Sequence, residues 1–294
     1  MPALETENPW QARRLGESYE EIPMSTASVA MSHMQIERAP AHAVTIYWKE
    51  TKYEFLKLLR ARVYTVSVLS FPIMFYVLFG LLLHSQDAIA GMRVPTYLIA
   101  TYGTFGVMGA SLFGTAAGLA SDRGLGWLAV KRASPMPPFA YFWAKVITSM
   151  VFSAVMVLAL FALGAAFGGV QMPVATFARL FGTLLVGSLP FSAMGLAVGY
   201  FTGPNSAAPA INLIYLPMSF GSGLWVPFTF LPKFVKQMAL MLPPYHLSQL
   251  ALGVVGAGAG QSAASHWEML AAFTMICLGV ARIGFQRDQD KMYG

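Results

Sequence analysis

The chain has 294 residues, of which 56% are hydrophobic and only 11% charged, where a typical soluble domain carries about 25% charged residues. That excludes an ordinary water-soluble globule and reads as an integral membrane protein. The formal charge of +6 is uneven, with six acids and three bases in residues 1–40 against seven acids and sixteen bases in 41–294, which is the loop asymmetry of a multispan protein and not a nucleic-acid surface.

Residues 1–43 are polar, rich in Glu, Ser and Pro, and show no period, so they read as a disordered acidic tail. No basic segment leads directly into an apolar one, so the tail is not expected to be a signal peptide, and Met24, Met31 and Met34 are alternative translation starts. From Tyr47 the pattern turns helical. At 100° steps, Trp48, Phe55, Leu56, Leu58, Leu59 and Val63 share one face, and Lys49, Glu50, Tyr53, Glu54, Lys57 and Arg60 the other. Lys52 and Arg62 fall in the apolar arc, where their stems can snorkel. The pattern predicts an amphipathic helix over residues 44–62, lying along an anionic leaflet.

Val63–Leu83 carries no formal charge over 21 residues and is the first expected span, kinked at Pro72. The second runs from Thr96 to Ala120, with Gly106, Ala110, Gly114 and Gly118 at every fourth position. Such a small-residue stripe predicts close helix packing, with a substrate groove as the lesser reading. The third runs from Tyr141 to Phe167, with Lys145 expected to snorkel at its inner end. The fourth covers Arg179–Phe201 and the fifth Ala207–Trp225, joined by a tight Gly-Pro-Asn turn. Between them and the last span, prolines at 227, 232, 243 and 244 cut the apolar sequence into pieces too short to cross, which predicts a re-entrant outer hairpin containing Pro243, Pro244, Tyr245 and His246. Trp267–Phe285 is the sixth span, interrupted by Arg282, and residues 286–294 form a short tail. Cys277 within this span is the single cysteine, so one chain cannot build a disulfide framework or thiol metal site, and it reads as a small buried apolar side chain. The expected fold is thus an all-α integral membrane protein of six transmembrane helices, preceded by the interfacial helix.

The internal connection with clustered charge is Ser121–Pro138, which holds Asp122, Arg123, Lys131 and Arg132 around Gly124, Trp127 and a short amphipathic segment, Leu125–Val130. Pro135, Pro137 and Pro138 close it. It reads as a docking element through which a soluble partner can push on spans two and three; the alternative is that its bases only hold it to headgroups. With the amino terminus inside, eleven bases fall on the inner side against Arg93, Arg179, Lys233 and Lys236 outside, which puts both termini and this loop in the cytoplasm.

The chemistry expected of other membrane proteins is missing from the pattern. The spans hold no carboxylate or histidine at mid-depth, which argues against a secondary carrier or ion pump. No lysine follows a glycine, so there is no phosphate-binding loop, and nucleotide must be bound by another chain. His246 and His266 look isolated, which argues against an integral-membrane enzyme such as an acyltransferase; His246 reads as an ordinary interfacial residue, with a gate or substrate contact as the alternative.

The order of these pieces carries a resemblance. WKETKYEFLKLLRARVYTVSVLSFPIMFYVLFGLLL, then a charged loop closing in Ser-Pro-Met-Pro-Pro, then LWVPFTFLPKFVKQMALMLPPYHLSQLALG resembles the permease subunit of type 2 ABC exporters across Val44–Phe285. The resemblance implies a permease that dimerises, with itself or a relative, and binds two separate ATPase subunits that carry the ATP and Mg. This chain would bind no cofactor of its own. Asp122–Arg132 matches the coupling segment and Trp48–Arg60 the interfacial helix. Such families move drugs, antibiotics, lipids, polysaccharide chains or sodium outward, in bacteria across the inner membrane. The acidic tail is longer than the resemblance explains. The apolar, proline-broken path adds the expectation of a hydrophobic or amphipathic cargo.

Overall fold

The computed structural model describes residues 40–83, 87–89, 91–134, 136–258 and 260–293; residues 1–39 of the expected acidic tail and Pro135 therefore lie outside the described residues, and so do the side chains of 40–42, Val63, Arg132, Pro138 and 290–293. The chain divides into Met1–His42 and a compact unit, Ala43–Gly294, to which the following description belongs.

The centre of that unit is one helix. α1 (Pro40–Arg60) leads through a break at Ala61 to α2 (Arg62–Phe75), which continues as a wider π-helical stretch, Tyr76–Leu83. A two-residue antiparallel ribbon, β1 (Ala88–Ile89) and β2 (Met92–Arg93), is a small departure from the all-helical expectation. It feeds α3 (Val94–Gly124), which is buried along nearly its whole length and on all sides. A helix apolar around its full circumference has no preferred solvent face and becomes the pillar against which others pack. α5 (Pro138–Phe167), α7 (Leu189–Phe201), α2, α8 (Ala207–Gly221) and α10 (Pro243–Val255) all lie against it, and α11 (Ala263–Tyr293) packs on α7 and α10. α4 (Trp127–Ala133) caps one end, α6 (Val174–Val186) meets α10, and α9 (Lys233–Ala239) meets α8.

Among the described residues, five helical stretches are long and apolar enough to cross a membrane: Tyr64–Leu83, Val94–Gly124, Phe139–Phe167, Val174–Phe201 and Ala263–Gln289. α9 and α10 bend by 89° at their break, so the pair is either one broken span or a re-entrant loop. The expected fifth span is shorter than its sequence suggested. α8 stops at Gly221 instead of Trp225, and its 15 residues reach only about 22 Å, against roughly 30 Å of hydrocarbon. Gly223 ends the apolar run with a positive φ of 76°, a conformation that leaves the helix. The expected fourth span instead lengthens, because α6 begins five residues earlier and joins α7 across a turn at Gly187 and Ser188.

The small-residue stripe of α3 faces α2 and α5. A Cβ on Gly106 would stand 2.6 Å from Met156 Cγ, one on Gly114 would stand 2.9 Å from the Tyr64 hydroxyl, and one on Gly118 would stand 2.8 Å from Lys145 Nζ. Ala110 is fully buried and its carbonyl accepts the Tyr64 hydroxyl hydrogen bond at 3.1 Å. Gly118→Val is therefore expected to cost about 1–3 kcal/mol by overpacking. Gly182→Ala, where a Cβ meets open space, should gain up to about 1 kcal/mol from helix propensity. Melting temperatures of the two variants in one detergent should move in opposite directions.

Candidate coupling site

α3 does not end at Ala120, as expected, but continues through Gly124, so Asp122 and Arg123 belong to its last turn. Position 122 is the next member of the 106, 110, 114, 118 series and inherits the face that looks at α5. There Asp122, 3% exposed, meets three donors: the Tyr141 hydroxyl at 2.8 Å, Lys145 Nζ at 3.0 Å and the Lys57 ammonium. Lys145 also reaches Glu54 at 2.7 Å, and Lys57 lies 3.7 Å from the same carboxylate. Two carboxylates and two ammonium groups thus close a neutral ring that ties α1, α3 and α5 together.

This corrects two expectations. Lys145 does not snorkel: its side chain is fully buried, because Gly118 leaves room for the ammonium and Glu54 and Asp122 compensate its charge at a site closed to water. The polar face of α1 is a solvent or headgroup face only in part: Lys49, Tyr53, Lys57 and Arg60 are exposed, whereas Glu50 and Glu54 turn to the protein. Glu54 is buried at 4% exposure, Glu50 pairs with Lys131, and Phe55 packs on Phe152 at 5.6 Å between ring centres. The exposed residues of α1 come from both faces, among them Val44, Trp48, Lys49, Lys52, Tyr53, Lys57, Leu59 and Arg60.

Gly126, at φ 73°, makes the left-handed turn that reverses α3 into α4. Leu128 anchors α4 among Leu119, Tyr141, Leu196 and Tyr200, while Lys131 pairs with Glu50 and lies 4.7 Å from the Tyr141 ring centre. Leu125, Trp127 and Val130 face outward, each more than half exposed. A cleft of about 480 Å³ opens between α1 and α4, lined by Glu50, Tyr53, Lys57, Asp122, Trp127 and Lys131.

Arg123 turns away from that surface. Its guanidinium binds Asp288 of α11 at 2.9 Å and donates to the carbonyls of Gly199 and Tyr200 at 3.0 and 2.7 Å, at the end of α7. Gly124 admits Pro204 of the α7–α8 turn, which a Cβ would strike at 2.1 Å. Of the docking residues expected from sequence, Trp127 is exposed and Lys131 partly so, whereas Asp122 and Arg123 are committed to contacts inside the chain. Arg132 is on α4, with no side-chain placement described.

At the other end of the bundle Pro243 and Pro244 open α10 and are buried, and Tyr245, 1% exposed, packs against the tilted ring of Phe228 at 4.9 Å between ring centres. His246 and His266 are not isolated. Their Nδ1 atoms lie 2.8 Å apart, and His246 Nε2 lies 2.9 Å from the Leu240 carbonyl, so a single proton shared by the rings joins α10 to α11. Among the described residues no three metal-binding side chains come together.

Sequence reasoning missed Tyr141, Lys145 and Asp288 as partners of the loop. The first two were within reach: extending the four-residue stripe by one step arrives at Asp122, and Tyr141 and Lys145 share a face of the next helix at the i, i+4 interval. Nothing local marks Asp288.

The bundle of apolar crossing helices, with its charges gathered at one end, defines a multi-pass membrane protein. Residues 47–255 match the ABC-2 type transporter family, and the chain belongs to that family as a permease subunit. It is 26% identical over 215 residues to "Putative transport permease YvfS" of Bacillus subtilis (strain 168), a match covering 73% of this chain and 87% of that protein.

Proposed function

We propose that this chain is the membrane half of an ATP-driven exporter and that α4, seated on α1, receives a separate ATPase subunit holding the ATP and Mg. The observation that carries the reading is the outward pair Trp127 and Val130 on a short helix, with Leu125 in the turn before it, whose other side is fixed by Leu128 and by the Glu50–Lys131 pair. Membership of the ABC-2 family supports an ATPase partner. In this reading two permease subunits form the pathway, the α9–α10 pair is a re-entrant outer hairpin, and the cargo is hydrophobic or amphipathic and moves outward. The membrane is a bacterial inner membrane, with both termini and α4 on its cytoplasmic side.

The buried Glu54–Lys57–Asp122–Lys145 ring does not revive a carrier mechanism: it is charge-balanced and gathered where α1 joins the bundle, as a brace would be and a mid-membrane proton relay would not. The reading is tested by isolating the chain in mild detergent and measuring whether a soluble ATPase accompanies it and is stimulated by cargo; a chain that transports with no ATPase bound ends it.

Orientation has its own check. Ser134 and Gln261 are both exposed, on opposite ends of the bundle by this topology. In a Cys277→Ala background, a cysteine replacing Gln261 should react with an impermeant maleimide in intact cells, and one replacing Ser134 should react only after lysis. Labelling of the Ser134 position from outside would reverse the assignment.

A further inference from the structure

Arg123 and Arg282 both lie within membrane-crossing helices at the end of the bundle that carries α4, and the protein treats them differently. Arg123 is engaged by Asp288 and by backbone carbonyls. Arg282 lies seven residues before the end of the apolar stretch Ala263–Gln289, about 10 Å inside it. It is exposed and has no ion-pair or hydrogen-bond partner among the described residues. A guanidinium at that depth persists only where something neutralises it or where it serves a ligand.

The surroundings of Arg282 fit one kind of ligand. It borders a groove of about 520 Å³ between α5, α7 and α11, walled by Phe139, Phe142, Leu196, Tyr200, Leu278 and Phe285. Gln286 and Gln289, one and two turns further along α11, stand on the same rim and add amide donors. Phe139 is 75% exposed and Leu278 44%, so the groove opens sideways from the bundle and its walls are available to hydrocarbon. An apolar slot with one cation and two amides at its polar edge is complementary to an amphiphile whose anionic head adjoins its chains.

We propose that this groove is a binding site for a membrane phospholipid with an anionic headgroup, its phosphate on Arg282, its headgroup region beside the Phe139 and Phe285 rings and its acyl chain along Leu278 and Leu196 on the deeper side. The lipid supplies the counter-charge that the described residues do not provide. The guanidinium fork suits two phosphate oxygens at once, and placing it a turn or two below the membrane surface lets its stem reach the headgroup level. A site between spanning helices on the basic side of a membrane protein is the setting in which such headgroups are held. The proposal is independent of the ATPase reading, since it concerns lipid retained by the permease alone.

The experiment uses the full chain purified in mild detergent, with native mass spectrometry and thermal melting as readouts. Phosphatidylglycerol should be retained and should raise the melting temperature more than phosphatidylcholine with the same acyl chains. Arg282→Gln should weaken retention about fivefold, the loss of one cation at a lipid surface, and Arg282→Lys should keep most of it. Equal retention of the two lipids, or unchanged phosphatidylglycerol preference in Arg282→Gln, overturns the proposal. So does full stabilisation by soluble glycerol phosphate, which would make this an aqueous anion site, or occupation of the face by a second copy of the chain. Should Arg282→Gln fail to fold, a photoactivatable phosphatidylglycerol on the unaltered chain decides: its adducts should map to residues 278–289 and 139–142, and adducts confined to other helices reject the site.

Discussion

Lys145→Met is expected to destabilise the bundle by about 3–5 kcal/mol, the usual consequence of removing one partner from a buried ion pair. Methionine fills similar space, so the loss is electrostatic: Glu54 and Asp122, 4% and 3% exposed, lose their one fully buried counter-charge and keep only Lys57, whose side chain is 42% exposed. Thermal unfolding and the monodisperse yield in detergent would measure it. Adding Glu54→Gln restores neutrality and should recover a large part of the loss, because the two sites are in direct contact and their effects cannot add. A lysine that merely snorkelled would be replaced by methionine at no cost, so a single variant as stable as the parent would refute the buried ring.

Trp127→Ala is expected to release the ATPase subunit while leaving the permease folded. Exposed aromatic anchors dominate many interfaces, and truncating a central one costs on the order of 2 kcal/mol or more, about thirtyfold in affinity. Trp127 is 53% exposed and takes no part in anchoring α4, which falls to Leu128, so its removal should not disturb the helix beneath. Arg123→Glu would be a poor companion mutation. It would set a carboxylate against Asp288 and the carbonyls at the end of α7, and any loss of partner binding could then come from misfolding. The readout is the amount of ATPase co-eluting with a permease whose melting temperature is unchanged; full co-elution would show that these residues only touch headgroups.

Which parts of the molecule could be read beforehand follows from what period and composition encode. Long uncharged runs located four of the helices, since length and hydropathy are local properties; α8 was overextended because Ser222 and Gly223 end a helix without lowering hydropathy much. Period also found both faces of α1, but it could not say which one meets protein. In water the apolar face turns inward by default, whereas beside a membrane lipid can take that face and charged side chains can turn to the bundle if partners await them. The partners are 91 residues away for Glu54 and Lys145 and 165 for Arg123 and Asp288, separations on which a single sequence carries no signal. The two histidines illustrate the same limit: 20 positions apart, they looked solitary and share a hydrogen bond.

The way α7 ends bears on how the molecule can move. Its last turn contains no basic residue, and the carbonyls that every helix leaves open at its carboxyl terminus are capped by Arg123 of α3. Separating the two helices would strand those carbonyls and Asp288 together, so α3, α7 and the end of α11 should travel through a working cycle as one body. The ring of Glu54, Lys57, Asp122 and Lys145 joins α5 and the carboxyl-terminal part of α1 to that same body. A push on α4 would thus be shared by α1, α3 and α5 together, around the most buried helix in the protein, rather than bending one of them alone.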